Sequence, residues 1–376
     1  MPAMVIDRKQ EGPAVGRRSQ VAGLGGARSV PGPMKFVRRP LRASHDWHPL
    51  AGEALLERLR VTGRPRLQSD PDLQGRLRGS LESGLNQVGD AGPDAPATGS
   101  GAGTPPPPSS SAVVVVTKDR LTGVLACEAH HVAGEFGDRP PTPAMACGAL
   151  VDVLFRQLIA VGSIDDPMAD GMAALGVDDR QQDLVSWIVG LPSAEREALR
   201  AEVERQADGL RRHWPALEPA WLPRTQESMR VGLAHGAVEL SARVDLAIGR
   251  PAEDEASVAL VEIKAGARRV EHRADLHFYA LVEALRSPAP PFVVATYYTR
   301  TGELDVDPVT EELLVGAVRR TIVGTRSLWN LAHGAVPRRT PNSLCGRCTL
   351  LPECEPGQAR VERSEAAWAR GPEDGR

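Results

Sequence analysis

The chain has 376 residues, a formal net charge of −3 and an apolar fraction of 41%. This length allows one large domain or two modest ones, each with a full hydrophobic core. The slight negative charge excludes a simple basic nucleic-acid-binding module, although it leaves room for a local positive groove. The longest uninterrupted apolar run, 112–116, is too short to span a bilayer, and the basic N-terminus lacks the apolar region of a secretory signal. We therefore expect a cytoplasmic protein with no membrane partner.

Weak periodicity characterises the start of the chain. Residues 1–47 are rich in Gly, Pro and Arg and are expected to form a disordered extension. Short helix-like stretches occur in 48–88, and 89–111 is a Pro/Gly/Ser linker with too few apolar groups to pack. This composition predicts that the first part of the chain docks loosely or not at all. The main domain is expected at 112–360, followed by a charged, frayed tail at 361–376.

Within the main domain, helices come first and strands follow. The run VVVVTK predicts a short buried strand, and DRLTGVLACEAHHVA predicts one helix that carries Cys127. Apolar spacing predicts a buried helix in MACGALVDVLFRQLIAVG and further helix through 174–213. Alternation then predicts strands in ESMRVGLAHGAVELSARVDLAIG and VALVEIKAG. A helix (RADLHFYALVEALR), strands on either side of Gly302 and a long amphipathic helix ending near Gly334 complete an α/β domain.

Two acidic residues and a lysine fall on a predicted antiparallel hairpin. Asp245 and Glu262 would lie on neighbouring strands, and Glu262 projects together with Lys264 because residues i and i+2 share a face. Paired carboxylates bind a divalent cation or share a proton, and hard oxygen ligands suit Mg²⁺ or Mn²⁺. A lysine beside them can orient or deprotonate a water for phosphodiester hydrolysis. A solvated sheet face is the alternative, but the apolar flanks argue against it because unpaired buried charge is costly.

Three cysteines are clustered near the C-terminus in the pattern C-x2-C-x5-C, and a fourth lies far upstream. The four are Cys127, Cys345, Cys348 and Cys354. Such clustering fits metal ligation in a reducing compartment better than a disulfide framework. Thiolates in this number suit either a 4Fe-4S cluster or tetrahedral Zn²⁺. The remaining Cys147 falls in a predicted buried helix, where it is expected to be a small apolar residue.

Together these residues resemble a known family. SARVDL followed by VEIKAG is similar to the core motif of the PD-(D/E)XK nuclease superfamily. The cysteine pattern is similar to that of its RecB-like exonuclease branch, whose members carry an iron–sulfur cluster. Over 113–360, the resemblance implies a restriction-endonuclease-like α/β core, with a mixed central β-sheet flanked by helices and a cluster-tethered C-terminal segment. It also implies that the four clustered cysteines bind a 4Fe-4S cluster rather than Zn²⁺.

The same resemblance implies roles for individual residues. Asp245, Glu262 and the carbonyl of Ile263 would bind Mg²⁺ or Mn²⁺, and Lys264 would position the attacking water. Two further residues are matched by motif position. These are Glu227, which matches the acidic residue that often precedes the hairpin, and Tyr279, which matches the tyrosine of a Q-x-x-x-Y motif.

Two positions depart from the family pattern. Asp275 stands where the Q-x-x-x-Y motif has Gln, and Asp152 stands where a GxxxH motif has His. The first hypothesis is a metal-dependent DNA nuclease acting on single strands or duplex ends, with a helicase or a repair or defence partner because no Walker-type motif occurs. The departures motivate an alternative, a non-catalytic Fe–S or zinc nucleic-acid-binding partner subunit. A redox or iron-sensing protein is a third hypothesis, although no residue requires it.

Overall fold

The computed structural model describes residues 55–60, 70–86, 88, 113–136, 140–252 and 255–370. The chain divides into two units, Met1–Ala43 and Ser44–Arg376, and every described residue belongs to the second. The expected extension at 1–47, the linker at 89–111 and the end of the tail at 371–376 lie outside the described residues.

A mixed six-stranded β-sheet lies at the centre of the described unit. Its strands are β1 (Val114–Val116), β2 (Arg224–Leu233), β3 (Val238–Ile248), β4 (Ala259–Lys264), β5 (Val293–Tyr298) and β6 (Glu303–Pro308). One edge of β3 pairs with antiparallel β2, while its other edge is shared by parallel β1 and antiparallel β4. β5 runs parallel to β4, and β6 closes the sheet antiparallel to β5. The register pairs Leu246 with Val261, so the predicted antiparallel pairing of the strands that carry Asp245 and Glu262 is present.

Helices cover both faces of this sheet, which confirms the predicted α/β class. They are α1 (Leu73–Leu85), α2 (Lys118–Ala126), α3 (Glu128–Phe136), α4 (Pro143–Val161), α5 (Pro167–Leu175), α6 (Gln182–Gly190), α7 (Ser193–His213), α8 (Val270–Arg286), α9 (Glu311–Ala332) and α10 (Glu355–Arg370). The first core cluster lies between the sheet and α1, α2, α8 and α9. The second lies between the sheet and α4, α5 and α7. Among the described helices, α4 alone is long and apolar enough to cross a membrane, and seven of its side chains are buried in the second cluster.

Threonine N-caps fix where several helices begin. Thr117, Thr142 and Thr310 have extended backbones, and each hydroxyl accepts a hydrogen bond from the backbone N–H three residues later. This bond satisfies one of the free donors at a helix start. Because Thr117 directly follows β1 and caps α2, Lys118 is the first residue of that helix and lies at the end of the sheet.

Side-chain alternation along β3 changes at Asp245. Val244 belongs to the first core cluster and Leu246 to the second, although an uninterrupted strand would keep both on one face. Across the ladder from Asp245, Gln226 has a left-handed backbone with φ of 55°. Such a conformation is uncommon for a residue other than glycine and often marks a functional site. The sheet is thus irregular on both strands at the position of Asp245.

Helix α1 is part of the main core, so the expectation of loose docking is wrong for this segment. Its apolar stripe repeats every four residues and is buried in the first core cluster beside α8 and α9. The stripe consists of Leu73, Leu77, Leu81 and Leu85. The sequence did not indicate this burial, because the average hydropathy of the segment is low: the leucines are separated by polar residues and glycines.

Two helix expectations around the cysteines also need correction. The helix predicted to carry Cys127 is broken there, because this residue has an extended backbone (φ −166°, ψ 115°) between the end of α2 and the start of α3. At the other end of the domain, short 3₁₀ turns at Cys345–Arg347 and Leu351–Glu353 lead directly into α10. The expected frayed tail is therefore helical over 361–370.

Candidate functional site

A cleft of about 710 Å³ opens at the end of β4, on the side of the sheet covered by α4 and α7. Four predicted site residues line it: Asp245, Glu262, Ile263 and Lys264. Asp152 on α4 adds a further carboxylate to the same cleft, and Glu195 and Glu202 of α7 line its wall. The strand pairing and the approach of α4 place Asp152 in the same cleft as Asp245, Glu262 and Lys264.

The carboxylate of Glu262 is almost fully enclosed, with its side chain 4% exposed. Its Oε1 accepts hydrogen bonds from two ammonium groups, from Lys264 Nζ at 2.7 Å and from Lys118 Nζ in close contact. Burial would raise the pKa of this carboxyl, but the two lysines outweigh burial and hold the pKa below its usual range. The other oxygen, Oε2, is buried and has no hydrogen-bond partner. An anionic oxygen buried without a donor is costly, and a bound cation would satisfy it.

Asp245 is a second, half-buried carboxyl beside Glu262. Its Oδ2 accepts the Ile263 N–H at 2.7 Å, and its Oδ1 lies 3.4 Å from the donor Nε2 of Gln226. Burial and the negative charge of Glu262 raise the pKa of Asp245 to about 8. At neutral pH without a cation, the pair of carboxyls therefore holds a proton. A divalent cation would replace that proton and allow both groups to ionise.

Asp152 joins the two acidic residues through an amide. Gln226 Nε2 donates to Asp152 Oδ1 at 2.8 Å as well as to Asp245, so it bridges the two carboxyls. Arg156 pairs with the other oxygen of Asp152 at 3.2 Å. Burial raises the pKa of Asp152 despite this arginine. The departure from His at this position therefore leaves the site with a hard oxygen donor, which suits Mg²⁺ or Mn²⁺.

Glu227 and Tyr279 were predicted at the site, but neither lines the cleft. Glu227 lies opposite Val244, and its carboxylate pairs with Arg224 and Arg286 at 3.4 Å each. The neighbouring Gln226 takes the place across from Asp245. Tyr279 is 2% exposed in the first core cluster, and its ring centre lies 5.3 Å from Lys118 Nζ.

Two residues that sequence reasoning missed therefore contact the acidic pair directly, Lys118 and Gln226. Nothing in the sequence around Gln226 distinguishes it from Glu227, because only the left-handed backbone turns its amide towards Asp245. The scarcity of lysine in this chain, in contrast, is a signal that could have identified Lys118.

A second cavity is lined by Cys127, Cys345, Cys348 and Cys354, together with His130 of α3. All four are free thiols. The Thr340 N–H lies 3.4 Å from Cys127 Sγ, and the Asn342 N–H lies 3.3 Å from Cys345 Sγ. Hydrogen bonds to sulfur are among the contacts that tune iron–sulfur sites. The spare Cys147 lies in α4, outside the cysteine cavity but in the wall of the acidic cleft, and burial raises the pKa of its thiol to about 11.

Polar contacts tie the C-terminal segment to the α2–α3 junction. Arg338 donates through Nη2 to Glu128 Oε1 at 2.6 Å, and its carbonyl accepts the Ala129 N–H at 3.1 Å. Asn342 Nδ2 donates to the carbonyl of Ala126 at 3.0 Å. These bonds bring the cysteine-bearing loop to Cys127 although the two are far apart in sequence.

Both cavities supply donors of the right chemistry for a metal. In the part of the chain that the structure describes, however, no three Cys, His, Asp or Glu side chains are already grouped to hold an ion. The carboxylates are not yet grouped for a physical reason, because negatively charged side chains repel one another until a cation binds between them. The unpartnered Glu262 Oε2 and the four free thiols around one cavity are the observations that fit a metal at each place.

The sequence matches no protein-family model and no curated protein. Among solved structures, the chain is similar to the crystal structure of a protein from Eubacterium rectale with a provisional exonuclease assignment, with 12% identity, a TM-score of 0.40, and coverage of 64% of this chain and 87% of that one. It is also similar to the crystal structure of SSO0001, with 12% identity, a TM-score of 0.24, and coverage of 63% of this chain and 93% of that one. Similarities this remote carry no functional conclusion, so the function has to come from the site itself.

Proposed function

We propose that this protein is a metal-dependent nuclease that hydrolyses phosphodiester bonds in DNA, on single strands or at duplex ends. The observation that carries the proposal is the buried, unpartnered Oε2 of Glu262, beside Asp245 and at a cleft that Lys264 also lines. A purely structural ion pair would be expected to satisfy both carboxylate oxygens. A buried oxygen left without a donor beside a cleft instead suits a cation that binds there with its substrate.

Five residues of the cleft have proposed roles that their contacts support. Asp245, Glu262 and the Ile263 carbonyl would hold Mg²⁺ or Mn²⁺, with Asp152 available as a further oxygen donor. The bound ion would polarise the scissile phosphate and stabilise the leaving oxygen. Lys264 is both at the cleft and within hydrogen-bond distance of Glu262, so its ammonium can orient the attacking water.

The cysteine cavity supports a second, structural proposal. Cys127, Cys345, Cys348 and Cys354 would hold a 4Fe-4S cluster, with Zn²⁺ as the alternative. Either group would fasten the loop before α10 to the α2–α3 junction and close a very long loop. Free thiols also suit the reducing cytoplasm, where we propose that the protein works with a helicase or within a repair or defence complex.

One observation favours a different function, that of a non-catalytic Fe–S or zinc nucleic-acid-binding subunit. The carboxylates are not preassembled as a metal site among the described residues. In that case the acidic cleft would be a remnant that no longer binds a catalytic ion. Metal-dependent cleavage separates the two proposals, because the binding subunit would retain DNA affinity and cleave nothing.

Lys264→Ala provides the sharpest test of the nuclease proposal. We expect it to lower the cleavage rate on single-stranded DNA in Mg²⁺ by about 100-fold or more, because the group that orients the water is lost. Arg268→Ala is the matched control, since this exposed cation follows the same strand but pairs with Asp305. Its rate should stay near that of the wild type. Equal rates for Lys264→Ala and the wild type would contradict the assignment.

The neighbouring pair Gln226 and Glu227 allows a second comparison. Gln226→Ala removes the amide that bridges Asp152 and Asp245, so we expect metal affinity or cleavage to fall by about 10-fold. Glu227→Gln keeps the shape of a side chain that contacts only arginines, and cleavage should change by less than about 3-fold. Titration of the cleavage rate with Mn²⁺ measures both effects. A larger loss in Glu227→Gln than in Gln226→Ala would contradict this placement.

A further inference from the structure

Both lysines in the described part of the chain contact the same carboxylate oxygen. The sequence has 45 basic residues, of which only four are lysines, and Lys9 and Lys35 lie outside the described residues. Lys118 and Lys264 each donate to Oε1 of Glu262. Arginine supplies positive charge elsewhere, and its guanidinium pairs well with carboxylates. The presence of two lysines at one oxygen therefore indicates that the site around Glu262 requires compact ammonium groups.

The two lysines differ in whether they line the cleft. Lys264 extends from β4 and lines the cleft, whereas Lys118 begins α2 on the other face of the sheet and is absent from the cleft lining. Lys118 is only 16% exposed, and its ammonium lies over the buried ring of Tyr279. A desolvated cation–π contact and an ion pair together hold this ammonium in place. Lys118 is thus a held charge outside the cleft, and Lys264 is the lysine that lines the cleft.

Further polar groups surround Lys118. Asp275 of α8 is also close enough to interact with Lys118, and the Thr122 hydroxyl donates to that carboxylate at 3.0 Å. Asp275, which stands where the Q-x-x-x-Y motif has Gln, therefore lies close to Lys118.

Resting on the proposed nuclease function, we infer that Lys118 is a positioning residue that acts through Glu262. It occupies Oε1 from outside the cleft, so that Oε2 is the oxygen presented to the metal. Because Lys118 balances the charge of Glu262, Lys264 is free to leave that carboxylate and orient the attacking water. Lys118 forms and breaks no bond in the reaction.

This role predicts opposite effects on catalysis and on metal binding. Without Lys118, Lys264 is the remaining lysine partner of Glu262 and is held back from the water, so turnover should fall. Metal affinity should not fall with it, because the lost ammonium repels a cation bound at the same carboxylate. A residue that merely supported the fold would instead lower metal affinity, turnover and thermal stability together.

The test compares Lys118→Met with Lys118→Arg in the full chain. Lys118→Met keeps an unbranched chain without charge, and we expect kcat on single-stranded DNA at saturating Mg²⁺ to fall about 10-fold or more. Lys118→Arg should recover part of this loss. Mn²⁺ affinity, measured by electron paramagnetic resonance without DNA, should be unchanged or tighter in Lys118→Met. Arg320→Met, which removes a half-buried cation near Thr122, should keep kcat within about 3-fold of the wild type.

Two outcomes overturn the inference while the wild type still cleaves. One is an unchanged kcat in Lys118→Met, and the other is a Mn²⁺ affinity that weakens by the same factor as kcat. A wild type that cleaves no DNA contradicts the nuclease proposal instead, so the two failures are distinct. If Lys118→Met does not fold, Lys118→Gln replaces it, because Gln can still donate a hydrogen bond to Glu262 without carrying charge.

Discussion

Asp245→Asn is expected to abolish cleavage and to stabilise the metal-free protein. The substitution removes an ionisable oxygen donor from the metal site, so cleavage should fall by about 100-fold or more. Stability should rise because the half-buried Asp245 lies beside the anionic Glu262, and Asn removes the cost of ionising it. Asn can still accept the hydrogen bond from the Ile263 N–H that Asp245 Oδ2 accepts at 2.7 Å.

The gain in stability should depend on pH in a defined direction. The pKa of Asp245 rises from 3.8 to about 8 on folding, so the folded protein favours the protonated acid. The stability that this group contributes is complete below pH 4 and is lost as pH rises towards 8. The melting temperature of Asp245→Asn should therefore exceed that of the wild type by an increment that grows over this window. A gain on the order of 2 kcal/mol corresponds to about 3–4 °C for a domain of this size.

Mg²⁺ or Mn²⁺ should reverse the order of the two proteins at pH 8. The ion binds the ionised pair of carboxyls and stabilises the wild type by mass action, whereas Asp245→Asn has lost a ligand and gains less. Thermal melts with the ion and with a chelator measure the effect. Glu227→Gln is the control, because its carboxylate bonds arginines away from the cleft. If metal-free Asp245→Asn melts below the wild type at pH 8, ionised Asp245 does not destabilise the folded protein, and our explanation of its raised pKa is wrong.

Cys348→Ser is expected to have the largest effect on stability. The substitution removes one of four proposed thiolate ligands from the cavity that Cys127, Cys345 and Cys354 also line, so the proposed 4Fe-4S cluster or Zn²⁺ should no longer be retained. Binding at structural metal sites contributes directly to folding, and we expect the melting temperature to fall by about 10 °C or more. The released loop should also become sensitive to protease ahead of α10.

Cys147→Ser is the matched control for this experiment. Cys147 is buried in α4 and lies outside the cysteine cavity, so metal content should be unchanged although the core is perturbed. Metal analysis of both variants, together with limited proteolysis, distinguishes a ligand from a packing residue. Full metal content in Cys348→Ser, or its loss in Cys147→Ser, would show that the cysteine assignment is wrong.

The sequence predicted the part of the site that depends on neighbouring residues. Glu262 and Lys264 project together because a strand places i and i+2 on one face, and apolar flanks predicted the burial of Glu262. Asp245 could be placed nearby because two alternating segments joined by a turn form a hairpin. These features are local, so the pattern of one chain contains them.

Contacts between distant elements could not be predicted in the same way. Lys118 reaches Glu262 only because β1 pairs with the far end of β3 and directs α2 towards β4. Gln226 rather than Glu227 faces Asp245 because of one left-handed residue, which strand periodicity does not reveal. Asp152 enters the cleft because α4 packs against the second face of the sheet. Each of these placements is a property of tertiary packing.

The most direct test of the nuclease proposal is a cleavage assay on wild-type protein purified without oxygen and analysed for iron, sulfide and zinc. We predict that the protein carries about four irons per chain and degrades single-stranded DNA or duplex ends in Mg²⁺ or Mn²⁺. Cleavage should stop when a chelator is added. A folded protein that carries its full metal content and binds DNA, but cleaves neither substrate with either ion, would contradict the proposal. The acidic cleft would then belong to a non-catalytic DNA-binding subunit.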